Sequence, residues 1–97
     1  MVKIPALKEL KGIIKEELPN VGIKDHSRNI INTSLILIAD IYGDEEANNV
    51  IEEFSLDEHE DWIDFFNKPE IKDIRKMYKG KPEFHVQVLK DFRNMNH

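Results

Sequence analysis

The residues with the most chemical potential are crowded into "FSLDEHEDWIDFF", Phe54 to Phe66. Asp57, Glu58, Glu60, Asp61 and Asp64 stand there beside His59, Trp62 and several large apolar side chains. Carboxylates and an imidazole could hold a metal, shuttle protons, or meet a basic partner. A metal site needs a second ligand three or four residues from His59 on the same helical face. Ser55, Leu56, Trp62 and Ile63 occupy those positions, and none is a credible first ligand. His26, His85 and His97 fall in other segments, and nothing in the sequence groups them. No metal or cofactor is therefore assigned.

Motifs for catalysis are missing as well. "YKGKP" has one glycine and no phosphate-loop spacing, and no G-x-S-x-G occurs. Adjacent acids such as Glu45–Glu46 and Glu52–Glu53 point in different directions around a helix. The expectation is a protein that binds, with no enzymatic activity.

Charge along the chain suggests what it binds. The 97 residues carry a net −5. Residues 29–67 hold eleven acids and no base, whereas residues 68–97 hold eight bases and four acids. Such asymmetry speaks to electrostatic partners rather than to fold. The acidic run supplies the candidate protein-binding residues Asp44, Glu45, Glu52, Glu53, Asp57, Glu60, Asp61 and Asp64, with Trp62, Phe65 and Phe66 as hydrophobic anchors. Complementary potentials speed encounter and apolar anchors supply affinity. The expected partner is a basic, nucleic-acid-handling protein, and the expected role that of a small inhibitor, immunity protein or phage-type regulator.

Two other readings compete. Lys68, Lys72, Arg75 and Lys79 fall within about 60° on a helical wheel, with Lys76 about 40° further round, a stripe that could follow phosphates as a nucleic-acid-binding accessory protein does. A self-assembling structural component, burying the 56–66 segment between copies, is the other.

The elements that position these residues are read from hydrophobic period. "PALKELKGIIKEEL" places Leu7, Leu10, Ile14 and Leu18 on one face, with Pro5 in the first turn and Pro19 as its end. "DHSRNIINTSLILIADIYG" reads as a helix capped by Asp25 or Ser27 and stopped by Gly43. Its isoleucine-rich core leaves an α+β alternative with a short strand near 34–42. Asp44 is the expected N-cap of a third helix carrying Ala47, Val50, Ile51 and Phe54. "SLDE" at 55–58 fits a capping box opening a fourth helix through residue 66. Its apolar arc spans about 180°, wider than a surface helix needs, and His59 lies within it, partly buried. "PEIKDIRKMYK" and "PEFHVQVLKDFRNM" each start at a proline, and Phe84, Val88, Phe92 and Met95 form the stripe of the second, with Leu89 beside them. The predicted fold is all-α, a bundle of five to six short helices in a single domain.

Composition narrows the setting. Without cysteine, no disulfide or thiolate site is possible. Neither a signal-peptide h-region nor a membrane-length apolar run appears, so a cytoplasmic, non-membrane protein is expected.

Overall fold

A computed structural model describes residues 3–96 of the chain; His97, noted above, lies outside them. Helices α1 (Leu7–Glu17), α2 (Ser27–Tyr42), α3 (Asp44–Glu53), α4 (Pro69–Met77) and α5 (Pro82–Asn96) are joined by short turns. The all-α expectation holds, and among the described residues no strand occurs; an isolated bridge between Val21 and Lys24 is the one β-type pairing.

Everything is built around α2. Ile30, Ile31, Leu35, Leu37 and Ile38 are fully buried, and only the ends of the helix reach solvent. A helix apolar on all sides must be surrounded, and α1, α3 and α5 pack against it. The segment 34–42 is therefore helical: all its apolar faces find a neighbouring helix, and sixteen residues give the backbone a complete hydrogen-bond ladder. Ser34, buried in the middle, donates its hydroxyl to Ile30 O at 2.8 Å. Gly43 stops α2 with φ +103° and ψ 155°, a backbone that side chains resist.

The expected caps are not used. His26 is the N-cap of α2, and its N–H donates to Asn96 Oδ1 at 3.0 Å. Ser27, already helical, turns its hydroxyl to Glu17 Oε1 at 2.9 Å. Asn96 Nδ2 reaches the same carboxylate oxygen at 3.1 Å and Ser27 Oγ at 3.0 Å. Glu17, 1% exposed, thus joins the end of α1, the start of α2 and the end of α5. Its negative charge also lies beside the positive end of the α2 dipole, a favourable placement. In α3, Gly43 takes the cap position and Asp44 is the first helical residue, without a capping bond. Pro5 precedes α1 rather than opening it, and Tyr42 Oη donates to its carbonyl at 2.9 Å.

The fourth predicted helix is not continuous. Ser55 and Asp64 adopt left-handed backbones, φ 53° and 52°. Between and beyond them the chain makes three single 3₁₀ turns, Leu56–Glu58, Glu60–Trp62 and Phe65–Asn67. The Glu58 N–H donates to the Ser55 carbonyl at 3.1 Å, so the capping box does not form. Two physical reasons account for this. A continuous helix would stack Asp57, Glu60, Asp61 and Asp64 at three- and four-residue spacings with no base between them, and each such like-charge pair is unfavourable by about 0.2–0.5 kcal/mol. A 180° apolar arc also cannot face one core from a straight helix. Breaking into turns lets Leu56, Trp62 and Phe65 all bury, at 0%, 1% and 2% exposure.

Helix α5 is rotated from its expected phase. His85, Val86 and Leu89 face the core, whereas Phe84 and Met95 are exposed and Val88 and Phe92 half-buried.

Candidate functional site

The acidic surface comprises α3 and the turns that follow it. Helix α3 buries Ala47, Val50 and Ile51 and leaves Glu45, Glu52 and Glu53 outside. The 3₁₀ turns repeat this division, with Leu56, Trp62 and Phe65 inside and Asp57, Glu58, Glu60 and Asp64 outside. Along α3 and these turns the apolar side chains are thus buried and the carboxylates left outside.

Ion pairs divide those carboxylates into two sets. Glu53 meets Lys11 Nζ at 2.7 Å, Asp61 meets Arg28 Nε at 2.9 Å, and Asp44 meets Arg75 at 2.7 Å. Glu45, Glu52, Asp57, Glu58, Glu60 and Asp64 have no basic side chain within 4.0 Å among the described residues.

The aromatic anchors are located elsewhere than the sequence suggests. Trp62 is in the core, and its Nε1 donates to Asn32 Oδ1 on α2 at 2.7 Å. Phe65 is equally buried, edge-on to Phe66 at 5.0 Å. Phe66 is half-buried under the Arg75 guanidinium, 5.2 Å from its carbon. None of the three stands free on the surface. The apolar side chain this segment does expose is Ile63, at 50%. His59 is exposed rather than partly buried, set edge-on to Trp62 at 5.6 Å.

The basic stripe is thinner than its wheel. Lys68 donates to the Asp61 carbonyl at 2.7 Å. Arg75 bridges Asp40 on α2 at 3.2 Å and Asp44 on α3 at 2.7 Å. Partial burial works against the Arg75 charge, but its bonds to Asp44 and Asp40 outweigh that and hold its pKa above the ordinary arginine value. Lys72, Lys76 and Lys79 remain exposed. Beside this cluster His85, 2% exposed, has its Nε2 3.9 Å from Asp40 without a hydrogen bond. Burial pushes its pKa down, and the nearby Asp40 charge only partly offsets the effect.

Among the described residues no three metal-ligating side chains converge, and no helix is long and apolar enough to cross a membrane. No family model, curated protein or solved structure matches this chain.

Proposed function

We propose that this protein acts by binding a basic protein partner, as a small inhibitory or regulatory module in the cytoplasm. The observation that carries the reading is the surface of α3 and the 56–64 turns, where Glu45, Glu52, Asp57, Glu58, Glu60 and Asp64 are exposed and have no ion-pair partner among the described residues. Carboxylates satisfied internally lose little by staying so; those left unpaired raise the local negative potential and steer a cationic surface toward it. The hydrophobic contribution assigned to Trp62 and Phe65 passes to side chains that reach solvent, beginning with Ile63.

The nucleic-acid reading loses Lys68 and Arg75 to internal partners, which leaves Lys72, Lys76 and Lys79 to carry it. Affinity capture from host extract, at low and high salt, separates the two. A protein retained at low salt, weakened at high salt and lost with Glu52→Lys/Asp57→Lys supports the acidic surface. Retention of nucleic acid that Lys72→Glu/Lys76→Glu abolishes would overturn it.

A further inference from the structure

The chain entering α1, the first turns of that helix and one side of α5 border a cleft of about 170 Å³. Its floor is apolar and buried, built from Ile13 on α1 and Val86 and Leu89 on α5. Its walls carry three bases, Lys3, Lys90 and Arg93, and one acid, Glu9. In a chain of net charge −5 this local balance is reversed in sign. None of the four forms an ion pair among the described residues.

Arg93 is incompletely satisfied. Its Nε–H is closed off from solvent and donates to no acceptor among the described residues. Buried donors without a partner are uncommon, and one on a charged group is costly. A place in the last turn of α5 favours a cation through the helix dipole, but it supplies no hydrogen bond.

Donors also collect on the α1 side. Pro5 lines the cleft just before the helix, and Ala6 at the N-cap has no side-chain acceptor for the first turn. The N–H groups of Leu7, Lys8 and Glu9 have no protein acceptor among the described residues. A helix start left open in this way carries partial positive charge and suits an anion. The other basic hollow differs on both counts. Arg75, Lys76 and Lys79 line it beside Asp40, but Arg75 is already held by Asp40 and Asp44. It also lies where α2 and α4 end, so the negative ends of two dipoles compensate its bases.

We propose that the α1–α5 cleft binds a small phosphate dianion, as inorganic phosphate or a short phosphomonoester. Three bases against one carboxylate leave an excess of positive charge that a phosphate monoester, close to doubly negative at pH 7, neutralises. The guanidinium fork of Arg93 matches phosphate oxygens in geometry as well as charge. A volume of 170 Å³ lies below the roughly 300 Å³ at which sites for drug-sized molecules begin, so the ligand is phosphate with at most a few carbons, not a nucleotide. This site is separate from the acidic surface and does not rest on it.

The test is calorimetric titration of the full chain with inorganic phosphate, glycerol 3-phosphate and acetate in turn, at fixed ionic strength. Phosphate or its ester is expected to bind with a Kd below about 1 mM, and acetate at least about tenfold more weakly. Tighter binding of the ester assigns the site to phosphomonoesters, and tighter binding of inorganic phosphate assigns it to the free ion. Arg93→Gln should weaken binding at least about tenfold. Lys90→Gln should weaken it about threefold and Glu9→Gln tighten it about threefold; both residues are exposed, so these two variants carry the test if Arg93→Gln fails to fold. Absence of binding by either phosphate overturns the proposal. Acetate binding as tightly as phosphate overturns it too. Phosphate binding that Lys76→Gln/Lys79→Gln weakens and Lys90→Gln does not places the anion in the other hollow, and likewise overturns it.

Discussion

The indole of Trp62 is anchored to α2 by a 2.7 Å hydrogen bond to Asn32 Oδ1. That bond fixes the one tryptophan of the chain in the core, at 1% exposure, and pins the 3₁₀ turns that carry the acidic surface onto the central helix.

Trp62→Ala should lower stability by about 3–5 kcal/mol, because it empties a large buried volume. Trp62→Phe keeps most of the apolar contact but leaves Asn32 without its donor, for a smaller loss of about 1–2 kcal/mol. Denaturant unfolding followed by circular dichroism reads both. A loss under about 0.5 kcal/mol for Trp62→Ala would mean that the ring is not core.

Glu17, Ser27 and Asn96 act as a unit. Removing the carboxylate with Glu17→Ala leaves the buried Ser27 hydroxyl without its acceptor and the Asn96 amide with Ser27 Oγ alone, and should lower stability by about 1–3 kcal/mol. Asn96→Ala should be partly redundant with it, so the double variant should fall short of additivity by at least about 0.5 kcal/mol. Strict additivity in chemical denaturation would show that the bonds do not couple.

His85 makes stability fall in acid. Its folded-state pKa lies below the ordinary 6.5, through burial that Asp40 only partly offsets. The unfolded chain therefore binds the proton more readily than the folded one as pH falls through about 6.5, and stability declines from there downward until the folded-state pKa is passed. His85→Gln should remove that component of the slope. Unfolding measured across the window for both proteins checks it: parallel curves would refute the assignment.

Charge reversal on the acidic surface should separate binding from folding. Glu52 and Asp57 are exposed and unpaired, so Glu52→Lys/Asp57→Lys should shift stability by no more than about 0.5 kcal/mol per substitution while weakening capture of a basic partner. A large drop in melting temperature would show instead that these carboxylates support the fold.

Gly43→Ala tests the corner between α2 and α3. Nothing lies within 4 Å of where a Cβ would sit, so the cost is purely that of φ +103°. A loss of about 1 kcal/mol or more is expected in thermal unfolding, and no loss would mean that the corner relaxes freely.

Period made most of the fold legible. The starts of α4 and α5 follow from Pro69 and Pro82, and Gly43 marks the end of α2 as its sequence suggests. The 56–66 segment departs from its helical period for a physical reason: a helical wheel presupposes a continuous helix, and it assigns no cost to four acids one turn apart. The warning was present in the width of the apolar arc. The N-caps of α2 were illegible because their partner, Asn96, lies 70 positions away from His26. The phase of α5 is not legible from its period because His85, polar by type, is one of its most buried residues, while Phe84 and Met95 are among its exposed ones. The candidate site divided in the same way. Its acids were evident from composition, but which of them would be neutralised depended on Lys11, Arg28 and Arg75, each on another element.

The amide of Asn96 reaches the Glu17 carboxylate across 79 positions of sequence. A chain made from its N-terminus at about 5–20 residues per second leaves about 4–16 s between the synthesis of the two. Once α2 has been made, α1 and α2 can lie side by side for the rest of that interval, yet the carboxylate between them lacks one of its two donors, and the apolar side of α2 that α5 will cover is bare. The nascent protein thus keeps one seam unsealed until α5 arrives, with the apolar side of α2 exposed along it.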